Sequence, residues 1–213
     1  MLYILTGNSQ TGKTRWLQAL LTDLQEAGVL VSGVIAPGQW VDHGQDVNPR
    51  YEKFGINNVL LPQGETLIFA RRKDLATEGE SCSQAQAAKL GWAISDSAID
   101  RVNAHFDLPE ALDGAPGLLV IDELGPLELL KGGGLISAMK VLEQGPSAWG
   151  VHALVVIRES LVELAAQRFG ACWGQACIIR ATAEAAAEIK ALFSDKQPAK
   201  LPHHLAGFMH PRR

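Results

Sequence analysis

The feature that most constrains this chain is a Gly-x-x-x-x-Gly-Lys-Thr pattern at residues 7–14. The pattern directly follows residues 2–6, a β-branched and aromatic run that predicts a buried strand, and it opens an amphipathic segment ending near Gly28. A glycine-rich loop between a strand and a helix gathers backbone N–H groups around one point, and the helix N-terminus adds positive potential there. The order of strand, loop and helix therefore predicts a phosphate-binding site.

The chemistry of each loop residue suggests its role. Gly7 and Gly12 allow positive φ angles and a close approach of the backbone to phosphate. Lys13 has the length to reach the β- and γ-phosphoryl oxygens, and Thr14 offers its hydroxyl to Mg²⁺. The other positions contribute mainly backbone N–H groups. The predicted nucleotide-binding set is Gly7, Asn8, Ser9, Gln10, Thr11, Gly12, Lys13 and Thr14.

Composition excludes some classes of function. The formal net charge of −4 over 213 residues argues against a general nucleic-acid binder, because affinity for polyphosphate backbones comes chiefly from Lys and Arg. We find neither a secretory signal pattern nor a run of 18 apolar residues, so we expect a cytoplasmic protein without a membrane span. The sequence leaves a protein partner open.

The first half of the chain predicts an α/β fold. A second apolar run at residues 29–36 follows the first helix, and strand–helix–strand order implies a right-handed parallel crossover. Residues 38–50 are polar and predict an exposed loop. The runs 54–61 and 65–70 flank Pro62-Gln63-Gly64 and predict a β-hairpin. We therefore expect a three-layer P-loop sandwich with a mostly parallel sheet and an inserted loop and hairpin at residues 38–73.

The remaining elements fit a single P-loop NTPase domain over residues 1–193. We expect a mobile segment at residues 74–91 and a flexible C-terminal tail at residues 194–213. The predicted elements between these segments are a helix at 95–106 with Ser95 as its N-cap, strands at 118–123, 151–158 and 176–180, and helices at 161–169 and 182–193 with Thr182 as the last N-cap.

The strand at 118–123 ends in two carboxylates, Asp122 and Glu123. Asp122 would hold Mg²⁺ opposite Thr14, and Glu123 would polarise a water aligned with the γ-phosphorus. Gly125 lies three residues after Asp122, where its backbone N–H would contact the γ-phosphate. Residues 125–128 predict a rigid turn. The chain has no Asn-Lys-x-Asp motif, so guanine specificity is unsupported.

Several arginines are further candidates. Arg158 ends the strand at 151–158, where it would either face the γ-phosphate or form a salt bridge with Glu159 or Glu163. Arg168 and Arg180 are expected to be structural. The Arg71-Arg72-Lys73 cluster has two interpretations. The favoured one is a solvated hairpin end, and the other is a contact for nucleotide phosphates or for an acidic partner.

Residues 118–129, Leu-Leu-Val-Ile-Asp-Glu-Leu-Gly-Pro-Leu-Glu-Leu, together with the early phosphate loop, resemble a specific family. This is the small nucleoside-triphosphatase family that includes the thermophile nucleotide phosphatase and the cancer-related nucleoside-triphosphatase. The resemblance runs, with gaps, over residues 1–193. It implies slow Mg²⁺-dependent hydrolysis of ATP, GTP and other nucleoside triphosphates, with the loop binding the nucleotide and Asp122 and Glu123 serving the metal and the water. Glu128 matches the last acid of the motif, where it would orient the loop or the water.

The chain departs from the family pattern in two places. Residues 36–55 are longer than usual and offer only Arg50 and Lys53 before Phe54-Gly55. Residues 74–106 are expanded. These differences imply a divergent, bacterial-like branch of the family.

The sequence thus favours a nucleoside-triphosphate phosphohydrolase with Glu123, Lys13 and Arg158 as catalytic groups and with Thr14 and Asp122 as Mg²⁺ ligands. Two alternatives stay open. One is a P-loop kinase for a small metabolite, which a lid of arginines near residues 71–91 would favour. The other is a nucleotide-dependent switch or assembly factor, in which slow hydrolysis times an interaction with a partner.

Overall fold

The computed structural model describes residues 1–8, 11–46, 48–75, 82–87, 91–107 and 117–194, with Glu123 described by its backbone. The strands in these residues are β1 (Leu2–Leu5), β2 (Leu30–Ile35), β3 (Gly38–Asp42), β4 (Tyr51–Leu61), β5 (Glu65–Arg72), β6 (Trp92–Ile94), β7 (Gly117–Leu124), β8 (His152–Ile157) and β9 (Ala176–Ile179). The α-helices are α1 (Lys13–Glu26), α2 (Ser83–Ala87), α3 (Asp96–Asp107), α4 (Pro126–Lys131), α5 (Ile136–Gln144), α6 (Val162–Phe169) and α7 (Ala183–Ala191).

The strands form one sheet in the order β6-β5-β4-β2-β7-β8-β1-β9, with β3 paired to β4. The neighbouring pairs among β2, β7, β8, β1 and β9 are all parallel. The carboxyl ends of these five strands therefore meet at one edge, where the phosphate loop follows β1. This arrangement confirms the predicted P-loop α/β fold.

Helices cover both faces of the parallel strands. Because side chains alternate along a strand, Leu2 and Ile4 of β1 pack into one core and Tyr3 and Leu5 into the other. The core on the Tyr3 side contains the buried leucines of α1, which recur at helical spacing, and residues of α7. The core on the Leu2 side contains residues of α3, α5 and α6. The molecule thus has the helix, sheet and helix layers that the sequence predicts.

The antiparallel strands extend the sheet beyond β2. The predicted hairpin is present as β4 and β5, which are longer than expected and pair from Gly55 with Arg71 to Leu60 with Glu65. The prediction of an exposed loop at residues 38–50 was wrong for its first part, because β3 pairs with β4 from Gly38 to Asp42. Pairing with β4 satisfies the backbone of this polar segment, and composition alone does not reveal that pairing.

One further prediction needs correction. Residues 125–128 do not form a simple turn, because Gly125 is the N-cap of α4 and Pro126 its first residue. The expected mobility of residues 74–91 stays a prediction: Lys73–Leu75 form a 3₁₀ turn at its start, Ser83–Ala87 form α2, and residues 76–81 and 88–90 lie outside the described residues. The predicted tail lies outside them too, apart from Ser194.

None of the helices that the structure describes combines the length and apolar character needed to cross a bilayer.

Candidate active site

The phosphate loop joins β1 to α1, and its glycines have the predicted backbone geometry. Gly7 has φ +145° and Gly12, the N-cap of α1, has φ +83°. A Cβ at Gly12 would meet no atom within 4 Å, so the left-handed conformation, rather than crowding, is what requires glycine there. The Thr11 hydroxyl donates to the Asn8 carbonyl at 2.9 Å and closes the loop from within. Ser9 and Gln10 lie outside the described residues.

Lys13 folds its side chain back across this loop. Its Nζ donates to the carbonyl oxygens of Gly7 at 3.0 Å and Asn8 at 2.6 Å. The ammonium group is therefore held within the loop and not in open solvent, although Lys13 belongs to the first turn of α1. Thr14 follows it on the same turn and is half-buried.

Asp122 lies near the carboxyl end of β7 with a side chain that is only 2 % exposed. Its Oδ2 accepts a hydrogen bond from the backbone N–H of Ala36, just after β2, at 3.1 Å. The register between β7 and β8 shifts between Ile121 and Leu124, so the two acids occupy an irregular stretch of the strand. The Glu123 side chain lies outside the described part of the structure, so its role stays a prediction.

The strand order puts β8 between the phosphate-loop strand β1 and the acidic strand β7. Arg158 directly follows β8, so its backbone lies between the loop and Asp122 along the edge of the sheet. Among the described residues the structure shows no salt bridge of Arg158 with Glu159 or Glu163, the alternative considered for it; Glu159 Oε1 accepts a hydrogen bond from Arg180 Nη2 at 2.5 Å instead. Within the described part of the chain, the exposed Arg158 has no ion-pair partner.

Arg180 lies closer to the loop than the sequence suggested. A Cβ added at Gly7 would lie 3.5 Å from Arg180 Nη1. The only sequence signal for this position is that an arginine directly follows the last strand, because the pairing of β9 with β1 cannot be deduced from residue types. Arg168, in contrast, is structural as expected, since it donates to Glu143 at 2.8 Å on the far helices.

Glu128 fixes the segment after Asp122. Its Oε2 accepts from Gly125 N–H at 2.9 Å and its Oε1 from Leu135 N–H at 3.3 Å. Burial raises the pKa of the Glu128 carboxyl, and these backbone hydrogen bonds partly oppose the rise. The Gly125 N–H is thus bonded to Glu128 in this structure, although it was predicted to meet the γ-phosphate. Glu128 thus holds the N-caps of α4 and α5, and its expected role in orienting the loop or the water stays a prediction.

The basic cluster at the end of β5 is partly neutralised. Arg72 forms ion pairs with Glu52 and with Asp74, whereas Arg71 has no ion-pair partner among the described residues. The Lys53 Nζ lies 5.7 Å from the centre of the Trp92 ring. Neighbouring carboxylates therefore hold Arg72, whereas no described carboxylate holds Arg71.

A site for Mg²⁺ is consistent with these donors. The structure describes no group of three or more His, Cys, Asp or Glu side chains that would form an all-protein metal cage. Mg²⁺ in nucleotide sites usually takes one or two protein oxygens together with waters and substrate phosphates. The Thr14 hydroxyl and the oriented Asp122 carboxylate are oxygen donors of that kind.

Comparisons with known proteins agree with this fold. Residues 2–169 match the model of a family described as NTPase. The chain is also similar to the solution structure of a human cancer-related nucleoside triphosphatase, with 18 % identity and a TM-score of 0.57, over 92 % of this chain and 98 % of that one. At this identity the likeness concerns the fold. No curated protein matches significantly. Because the family model covers most of the chain and confirms the resemblance seen in its motifs, the chain belongs to the NTPase family and is a hydrolase of nucleoside triphosphates.

Proposed function

We propose that this enzyme hydrolyses nucleoside triphosphates to nucleoside diphosphate and phosphate in an Mg²⁺-dependent reaction, with weak preference for the base. The observation that carries this proposal is the order of groups on three adjacent parallel strands. The phosphate loop follows β1, Arg158 follows β8, and Asp122 lies near the end of β7. A triphosphate held in the loop would extend along this edge toward the acids.

The loop supplies binding and charge stabilisation. Its backbone N–H groups and the start of α1 receive the phosphates, and Lys13 exchanges its two carbonyl acceptors for phosphoryl oxygens. Arg158 is available for the charge that develops on the γ-phosphoryl group, because Glu159 is already engaged by Arg180. Thr14 and Asp122 would hold Mg²⁺, which neutralises phosphate charge when bound.

Water is the nucleophile in this proposal. Glu123 accepts a proton from the water as the water oxygen attacks the γ-phosphorus, and the bond to the β–γ bridging oxygen breaks. The products are inorganic phosphate and the nucleoside diphosphate. Asp122 is less suited to be the base because its Oδ2 is committed to Ala36 N–H.

The weak base preference is supported by the sequence, which lacks the Asn-Lys-x-Asp motif that reads guanine. Arg72 is paired with Glu52 and Asp74, whereas Arg71 has no ion-pair partner among the described residues, so transfer to a metabolite is tested alongside hydrolysis. A kinase would need cations free to hold an acceptor against the γ-phosphate.

The test is phosphate release from ATP, GTP, CTP and UTP with and without Mg²⁺, comparing wild type with Lys13→Ala. We expect release from all four nucleotides, its loss without Mg²⁺, and its loss in the variant. Lys140→Ala is the matched control, because Lys140 is an exposed lysine on α5 and belongs to no part of the site. Small hydroxyl and amine metabolites are added in a parallel series. Nucleoside diphosphate formation that requires such an acceptor and yields no free phosphate would overturn the proposal in favour of a kinase.

A further inference from the structure

The edge strand β9 brings Arg180 beside the first residue of the phosphate loop. β9 pairs with β1 in parallel, with Leu5 opposite Ile179, and the Thr6 N–H donates to the Ile179 carbonyl at 3.1 Å. The next residue is Thr6 on the β1 side and Arg180 on the β9 side, and Gly7 directly follows Thr6. The start of the loop and the arginine are thus neighbours through a continuous backbone ladder.

The backbone after Arg180 is fixed from the other side. The Trp16 Nε1 of α1 donates to the Thr182 carbonyl at 2.9 Å. Thr182 also caps α7, because its hydroxyl accepts from the Ala185 N–H at 3.2 Å. Arg180 is therefore carried on a short connection that is held to β1 before it and to α1 after it.

The guanidinium group of Arg180 lies at the surface of the loop. Its Nη1 is 3.5 Å from the position of a Cβ at Gly7, while its Nη2 donates to Glu159 Oε1 at 2.5 Å. The Arg180 side chain is 54 % exposed despite this contact. A guanidinium that donates from its edge to a carboxylate still has its flat faces available for a ligand.

The order of groups along the edge indicates which part of a nucleotide Arg180 would meet. From one side to the other, the edge presents Arg180 after β9, the loop after β1, Arg158 after β8 and Asp122 near the end of β7. In the proposed function, on which this inference rests, the γ-phosphate points toward Asp122 and Glu123. The nucleoside end of the same molecule would then extend toward β9.

We infer that Arg180 binds the nucleobase by stacking its guanidinium on the face of the base, with Glu159 holding the guanidinium edge. Every base has a π-face, so stacking on a planar cation gives affinity without reading the hydrogen-bonding edge of the base. This mode of binding accounts for a nucleotide site that has no guanine-reading motif. Arg180 is thus a substrate-binding residue for nucleoside triphosphates as a class.

The experiment separates the base from the phosphates by comparing ligands with and without a nucleoside. Calorimetry gives the Kd values of non-hydrolysable ATP and GTP analogues and of inorganic tripolyphosphate, all with Mg²⁺, for wild type, Arg180→Ala and Arg180→Lys. We expect the Kd of both nucleotide analogues to rise about three- to tenfold in the two variants. The Kd of tripolyphosphate should stay within twofold of wild type in Arg180→Ala, because tripolyphosphate has no base to stack.

Arg180→Lys is informative because lysine keeps the charge but has no planar group to stack. Arg168→Ala is the matched control, since Arg168 is also a partly exposed arginine paired with a glutamate, Glu143, on helices away from the loop. Its Kd values should match wild type. An equal rise for tripolyphosphate in Arg180→Ala, or full rescue by lysine, would overturn stacking and indicate a phosphate contact. Unchanged nucleotide affinity in Arg180→Ala would overturn any contact at all.

Calorimetry also keeps this inference distinct from the proposed function. Wild-type protein that binds the nucleotide analogues but releases no phosphate from any nucleoside triphosphate would contradict the proposed reaction. The Kd values of the Arg180 variants would still show whether Arg180 binds the base. Active wild-type protein whose Arg180 variants bind nucleotides normally would contradict the role of Arg180 alone.

Discussion

Asp122 accepts a hydrogen bond at 3.1 Å from the backbone N–H of Ala36, so the acid of β7 is oriented by the end of β2. The side chain is 2 % exposed, and a buried carboxylate needs such a donor to offset the loss of hydration. The contact uses Oδ2 and involves only a backbone group. A side chain of the same shape can therefore keep the contact while losing the negative charge.

Asp122→Asn tests the metal-binding role on this basis. The amide oxygen of asparagine can accept from Ala36 N–H, so we expect the fold to persist, while Mg²⁺ loses its anionic ligand. We expect kcat to fall roughly 100-fold and the Mg²⁺ concentration for half-maximal activity to rise. Phosphate release measured across a Mg²⁺ series checks this, with thermal unfolding as the control for folding. An unchanged Mg²⁺ dependence would remove Asp122 from the metal site.

Glu123→Gln tests the proposed general base. Glutamine has the size of glutamate but cannot accept the proton of the attacking water, so turnover should fall about 10²- to 10⁴-fold. Nucleotide affinity should stay near that of wild type, because the loop and Lys13 bind the phosphates. Single-turnover phosphate release and calorimetry with a non-hydrolysable analogue measure the two properties separately. Turnover close to that of wild type would assign the base to another group.

Arg158→Ala tests whether the arginine after β8 acts on the transition state. Since Glu159 pairs with Arg180, removing Arg158 breaks no ion pair among the described residues and should leave stability nearly unchanged. We expect kcat to fall about 10²- to 10³-fold, with a smaller change in KM. Arg168→Ala again serves as the control. A change confined to KM would make Arg158 a binding residue that acts equally in the ground state.

The sequence was sufficient for the parts of the fold that depend on local pattern. The strand before Gly7, the loop and α1 follow from a buried run, a glycine-rich motif and leucines at helical spacing. Thr182 is the N-cap of α7 as predicted, because capping depends on one hydroxyl and a backbone N–H three residues on. The family also followed from contiguous residues, Asp122 to Glu128.

Features that depend on distant pairing could not be predicted in the same way. β3 is polar and resembles a loop until β4 supplies its partner from Ile56 to Tyr51. The position of Arg180 depends on β9 pairing with β1, which residue types do not specify. For β3 and Arg180 the missing information is a partner strand elsewhere in the chain. Gly125 is a different case, because its acceptor Glu128 lies only three residues on, in a capping arrangement that is local in the sequence.

Glu128 provides a pH-dependent prediction about stability. Because burial raises the pKa of its carboxyl, the folded protein binds this proton more tightly than the unfolded chain does. The contribution of Glu128 to the free energy of unfolding is therefore most favourable at acidic pH. It should decrease as the pH rises from about 4.3, the ordinary value for glutamate, through the raised pKa, and stay constant above that.

Glu128→Gln removes this titration and should remove that decrease. The comparison is the free energy of unfolding from urea titrations between pH 4.5 and 7.5 for wild type, Glu128→Gln and Glu26→Gln, the last being an exposed position at the end of α1. Relative to the Glu128 variant, wild type should lose stability across the lower part of this range. Glu26→Gln should keep the wild-type profile. If wild type instead gained stability with pH relative to Glu128→Gln, the hydrogen bonds from Gly125 and Leu135 would outweigh burial, and the pKa of Glu128 would lie below its ordinary value.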